Sequence, residues 1–110
     1  MLATRDDWAE APDFHVWVDL EADPPCVAVS GEIDLTTCAA FRDALDEAAE
    51  TGSRTIAVDF KRTTFMGSTA IRELVRARAK VERIEARSTS QIVRRALVAS
   101  GLGGEIDFSD

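Results

Sequence analysis

Ser68 and Thr69 stand where one backbone pattern gives way to another. Before them, Ile56, Val58 and Phe60 alternate with Ala57 and Asp59, the period of a strand with one dry face. After them, Ile71, Leu74 and Val75 recur at helical spacing. Gly67 permits an unusual backbone angle at the joint, and a hydroxyl just beyond it can cap the new helix. The same position aims the hydroxyl at free backbone N–H groups, which suits a phosphate equally well. A second polar group, Glu32, Asp34 and Thr36, follows the apolar run Cys26-Val27-Ala28-Val29-Ser30. There, Asp34 and Thr36 or Thr37 are candidate caps for the next helix.

Other chemistries lack their parts. A Ser-His-Asp arrangement would need the one histidine, His15, to serve Ser68. The joint reads Met66-Gly67-Ser68-Thr69-Ala70, not the Gly-x-Ser-x-Gly elbow of a hydrolase. No glycine cluster precedes a Lys-Ser or Lys-Thr pair, so no phosphate-cradling loop is expected. Glu32 and Asp34 have no second carboxylate pair to work with. Cys26 and Cys38 lack CxxC spacing and read as small buried residues. The reading is of a chain that is not an enzyme and takes no metal or cofactor.

The elements that must position these groups fit one domain, with 110 residues and 45% apolar side chains, enough for a real core. No apolar run is long enough for a membrane, and Met1-Leu2-Ala3-Thr4-Arg5-Asp6-Asp7 does not read as a secretion signal. A cytoplasmic protein without membrane insertion is expected. A net charge of −7 argues against nucleic acid as a partner. Residues 1–60 hold 14 acidic and 3 basic side chains, residues 61–110 hold 6 and 10. The basic run Arg72, Arg76, Arg78, Lys80, Arg83 and Arg87 reads first as the wet face of a helix, and second as a dock for an acidic protein.

In chain order, residues 1–12 read as a loose tail and 13–110 as the domain. Phe14 to Leu20 is a strand, with Phe14, Val16, Val18 and Leu20 on one face and His15, Trp17 and Asp19 on the other. Pro24-Pro25 makes a turn, and Cys26 to Ser30 returns as an antiparallel strand. Gly31-Glu32-Ile33-Asp34 bends the chain into a helix running to about Glu50, with Phe41, Leu45 and Ala48 inward. Ile56 to Phe60 is the central strand, and a helix follows from Ser68 to about Glu82. Ile84 to Arg87 is a short strand. Ser88-Thr89-Ser90-Gln91 has the form of a capping box before a third helix, whose inner face would carry Ile92, Val93, Ala96 and Leu97. Gly101 ends that helix, and Glu105 to Phe108 adds an edge strand. The expected fold is α/β: a small, mostly parallel sheet opened by an antiparallel hairpin, with helices stacked along one face. The other face is mixed and small, and Trp17 on it leaves room for a weak homodimer.

Three segments together resemble the STAS domain, above all the stand-alone anti-sigma factor antagonists of bacteria. They are Val29-Ser30-Gly31-Glu32-Ile33-Asp34-Leu35-Thr36, Thr64-Phe65-Met66-Gly67-Ser68-Thr69-Ala70-Ile71 and Val93-Arg94-Arg95-Ala96-Leu97-Val98-Ala99-Ser100-Gly101-Leu102. The resemblance covers about residues 14–108. It implies partner switching. The unphosphorylated antagonist binds an anti-sigma factor that is also a serine kinase, and so releases a sigma factor. Phosphorylation at Ser68, with Thr69 its neighbour, ends the complex, and a phosphatase resets it. The implied contact set is Glu32, Asp34, Thr36, Gly67, Ser68, Thr69 and Arg72.

Two residues depart from the family pattern. Gly67 stands in place of Asp, which would weaken kinase recognition or partner binding. Ala70 stands in place of Gly, and its methyl would narrow access to the joint. The alternative implied by these departures is a STAS scaffold subunit that docks without phosphorylation, of the kind found in phospholipid-transport ATPases.

Overall fold

The computed structural model describes residues 14–109. The expected tail, residues 1–12, lies outside them. Five strands form one sheet in the order β1-β2-β3-β4-β5. They are β1 (Phe14–Asp19), β2 (Cys26–Ile33), β3 (Thr55–Met66), β4 (Arg83–Arg87) and β5 (Ile106–Ser109). Among the described residues, three helices alternate with them: α1 (Cys38–Ala49), α2 (Ser68–Arg78) and α3 (Gln91–Ala99). β1 pairs antiparallel with β2, and every later pair is parallel.

Each parallel connection adds its strand on the same side of the last, so right-handed crossovers put every helix on one face. The core confirms that layout. Val27, Val29, Ile56, Val58, Phe60, Ile84 and Ile106 of the sheet pack with Phe41, Leu45, Leu74, Val93 and Leu97 of the helices. Each fully buried large side chain among them contributes about 1.5–3 kcal/mol. The inward positions of α1 are those the spacing predicts.

Several boundaries move. Alternation predicts that β2 ends at Ser30 and β3 at Phe60, yet both continue. β2 reaches Ile33 through register shifts between Ala28 and Ser30 and between Gly31 and Glu32. Gly31 takes a φ of 98° there, a left-handed angle that glycine adopts without strain. Beyond Phe60 the buried positions are Thr63 and Met66, a spacing of three that hides the strand from a period-two reading. The Thr63 hydroxyl donates to the Val29 carbonyl at 3.1 Å and holds the extension. α2 ends at Arg78 rather than Glu82, and Val81 folds beneath it into the core.

Ser88 does not begin the third helix. It takes a φ of 56°, and its N–H donates to the Ser109 carbonyl. Ser90 is the cap, accepting from the Val93 N–H at 3.2 Å. With the cap two residues further on, Ile92 is exposed, while Val93 and Leu97 are buried. Gly101 ends α3 in a left-handed conformation, as its position predicts.

Leu20 lies beyond β1 and is exposed, and Val75 of α2 is exposed as well. Trp17 on the face opposite the helices is buried, so its ring is no free docking group. Cys26 and Cys38 are half-buried rather than buried.

Candidate functional site

β2 and β3 run parallel, and their ends stop side by side. Glu32 is level with Phe65 and Ile33 with Met66. The Gly67 N–H then donates to the Ile33 carbonyl at 3.0 Å. That bond ties the two strand exits, so the turn after β2 and the start of α2 share one end of the sheet. Both polar groups singled out by sequence are thereby brought together.

The turn after β2 is organised by Asp34. Its Oδ1 accepts from the Thr36 N–H at 2.9 Å, the Thr36 hydroxyl at 2.7 Å and the Thr37 N–H at 3.2 Å. Its carbonyl accepts from the Thr37 and Cys38 N–H groups. Thr37 occupies the cap position of α1 without a side-chain cap bond of its own. Its hydroxyl instead donates to the Glu32 carbonyl at 2.9 Å and accepts from the Asp34 N–H at 2.8 Å. The Thr36 hydroxyl and amide, and more weakly those of Thr37, hold the Asp34 carboxyl below its ordinary value. Asp34 is therefore ionised at neutral pH, beside the exposed carboxylate of Glu32.

The start of α2 differs from the expected cap. Gly67 holds the cap position, with φ −87° and ψ 178° and no side chain to cap with. Its carbonyl accepts from the Ala70 and Ile71 N–H groups. Ser68 is the first helical residue and is exposed, and its hydroxyl makes no hydrogen bond among the described residues. Ser68 is thus not the helix cap. Thr69 is half-buried. Arg72 lies one turn on, exposed, on the same helix face as Ser68.

Ala70 points inward and is fully buried. Its methyl packs in the core and does not narrow access to Ser68. The backbone of Gly67 is ordinary extended chain. A Cβ there would meet the Phe65 Cε2 at 3.4 Å and the Ile33 carbonyl oxygen at 3.6 Å, both normal contacts. Neither departure from the family pattern is therefore forced by backbone shape.

Two apolar side chains complete the surface and were not among the residues singled out. Leu35 is 77% exposed and Phe65 44%. Their exposure follows from features hidden in the sequence: β3 is irregular beyond Phe60, and Leu35 sits in the Asp34 turn. The basic run, by contrast, is mostly occupied. Arg76 bonds Asp46 at 2.7 Å and Glu73 at 2.9 Å, and Lys80 bonds Asp46 at 3.0 Å. Burial raises the Asp46 carboxyl, but hydrogen bonds from Lys80 and Arg76 outweigh it and leave the group below its ordinary value. Arg78 donates to the Val81 and Glu105 carbonyls, Arg83 pairs with Asp107, and Arg87 with Glu85.

His15 packs against Trp17, ring centroids 4.0 Å apart and planes tilted by 41°, on the sheet face turned away from the helices. It does not serve Ser68. Among the described residues, no group of three or more His, Cys, Asp or Glu side chains could hold a metal ion. No helix among them is long and apolar enough to cross a membrane.

A five-stranded mixed sheet with its three helices on one face, and a bare hydroxyl where the central strand meets a helix, defines a one-sided α/β domain. Residues 16–107 match the family described as Mlab, STAS domain. The chain belongs to the STAS family. Its fold is shared with the crystal structure of an anti-sigma factor antagonist from Mycobacterium paratuberculosis, at TM-score 0.77 and 24% identity over 89% of this chain and 87% of that one. SpoIIAA in its unphosphorylated form is similar at TM-score 0.70 and 21% identity, over 87% and 89% of the two chains. The Bacillus cell fate determinant SpoIIAA in its phosphorylated form is similar at TM-score 0.64 and 21% identity, over 87% and 92%. None of the curated proteins matches this chain.

Proposed function

We propose that the chain is a cytoplasmic anti-sigma factor antagonist that works by partner switching at Ser68. The observation that carries this reading is the exposed, unbonded Ser68 hydroxyl at the first residue of α2. It sits at the same end of the sheet as the exposed Leu35 and Phe65 and the ordered Asp34 turn. In its unphosphorylated form this surface, with Glu32, Asp34, Thr36, Gly67, Thr69 and Arg72, binds an anti-sigma factor and frees a sigma factor. The anti-sigma factor is also the kinase. The Ser68 oxygen takes the γ-phosphoryl group of ATP, its proton passes to a base of the kinase, and ADP leaves.

The added group carries a charge of about −1.5 to −2 at neutral pH. The fold tolerates it, because the start of α2 offers free N–H groups and the positive end of the helix dipole, worth about 0.3–1 kcal/mol at an exposed site. A partner surface shaped against a bare hydroxyl does not, because burying an unpaired dianion is costly. A phosphatase then restores the starting state. Incubation with the cognate anti-sigma kinase and ATP adds one phosphate to the wild type and none to Ser68→Ala. Mass spectrometry that finds the wild type unmodified by every anti-sigma kinase of its organism overturns the switch.

A second reading is a STAS scaffold subunit of a transport complex of the phospholipid-transport ATPase type, docking without phosphorylation. Two observations favour it. The matching family carries the name Mlab rather than that of an antagonist. Gly67 also leaves Ser68 without a carboxylate on the residue before it. Affinity purification from native extract separates the readings: an anti-sigma factor supports the switch, and ATPase subunits support the scaffold.

A further inference from the structure

Arg72 stands apart from the other cations of its helix. Of the three arginines of α2, Arg76 is held by Asp46 and Glu73, and Arg78 by the Val81 and Glu105 carbonyls. Arg72 makes no ion pair or hydrogen bond among the described residues and is exposed. It lies four residues after Ser68, which puts the two Cβ atoms about 5–6 Å apart on one helix face. A guanidinium on a three-carbon stem spans that gap and offers paired donors to phosphate oxygens. Nothing on α2 competes for it, because the next acidic side chain, Glu73, is already bonded to Arg76.

Resting on the switch at Ser68, we propose that Arg72 clasps the phosphate of phosphorylated Ser68, so that one modification both adds negative charge and withdraws a cation from the docking surface. In the unmodified protein Arg72 is available to an acidic group of the partner. After modification it is neutralised within its own helix. Ending the complex then does not depend on repulsion alone, because a favourable contact is removed in the same step. At this end of the sheet, Arg72 on α2 favours the dianion, and the carboxyl groups of Glu32 and Asp34 at the exit of β2 oppose it.

The test uses full-length protein with phosphoserine installed at position 68 during translation, so it needs no kinase. The second ionisation of the phosphate, near pH 6 in a free phosphoserine, is followed by phosphorus NMR. Arg72→Gln raises that pKa by about 0.3 unit, the size expected of an exposed i,i+4 ion pair, whereas Arg72→Lys keeps most of the wild-type value. Equal values in wild type and Arg72→Gln overturn the clasp and leave the switch standing. Failure of every kinase to modify Ser68, with the NMR shift intact, counts against the switch instead.

Discussion

Replacing Gly67 with Asp stabilises the fold, and the size of the gain follows from the start of α2. Gly67 sits in the cap position with an extended backbone that any residue adopts, and a Cβ there makes only ordinary contacts. No side chain now caps the helix. An Asp carboxylate would accept from the free N–H groups of the first turn, improving on glycine by a few tenths of a kcal/mol. Its charge at the dipole end adds about 0.3–1 kcal/mol. Removing a glycine from the unfolded chain adds about 0.4–1 kcal/mol. Repulsion from Glu32 and Asp34, at the same end of the sheet, offsets part of this gain. The balance is about 1 kcal/mol, or 4–8 °C in Tm for a domain of this size. Thermal unfolding followed by circular dichroism at low salt reads it directly. Gly67→Ala should fall below Gly67→Asp, because alanine is a poor cap. A Gly67→Asp protein that melts at or below the wild-type temperature refutes the reasoning, and would mean that the glycine is needed for its shape.

Leu35→Ala and Phe65→Ala test the apolar part of the surface. Under the proposed function, each is expected to weaken binding of an anti-sigma factor about tenfold or more, as interface anchors do; Leu35→Ala, at a side chain 77% exposed, should change stability by less than 0.5 kcal/mol. Calorimetric titration with the partner, beside a melting curve, checks both. Asp46 is held below its ordinary carboxyl value by Lys80 and Arg76 against the opposing effect of burial, so its contribution is full above the unfolded pKa near 3.8 and is lost as pH falls through the lower folded value. Asp46→Asn therefore lowers Tm at pH 7, and the gap to wild type closes in acid; a gap independent of pH would contradict the assignment.

Much of the architecture was legible because the inner face of the sheet alternates cleanly from Val27 to Val58 and on to Ile84. Short apolar strands separated by helical spacing leave little choice of topology. The site was legible in part. Ser68 stands out as a hydroxyl between two periodicities, and Asp34 as an acidic residue in a bend. Their nearness is expected from the fold, but its form is not written in either segment. It depends on both strands running past their apparent ends, β2 through a bulge at Gly31 and β3 through Thr63. Bulges break the period that sequence reading relies on. The same break hid Leu35 and Phe65 as surface groups. Ser88 and Ser90 both offer a cap two residues apart, and the choice between them is set by the bond from the Ser88 N–H to β5, a contact remote in sequence. Trp17 lies on the expected face but is buried there, because alternation gives the face of a side chain and not what covers it.

The strands lie in the sheet in the same order as in the chain. During synthesis, each new strand therefore meets a neighbour that has already left the ribosome. None has to wait for a later segment to be wedged between two finished ones. The two halves of the Ser68 surface emerge early, and the tie from Gly67 to Ile33 can close before β4 and β5 exist. Assembly then proceeds as a zipper from the amino-terminal edge, with β5 as the last tooth.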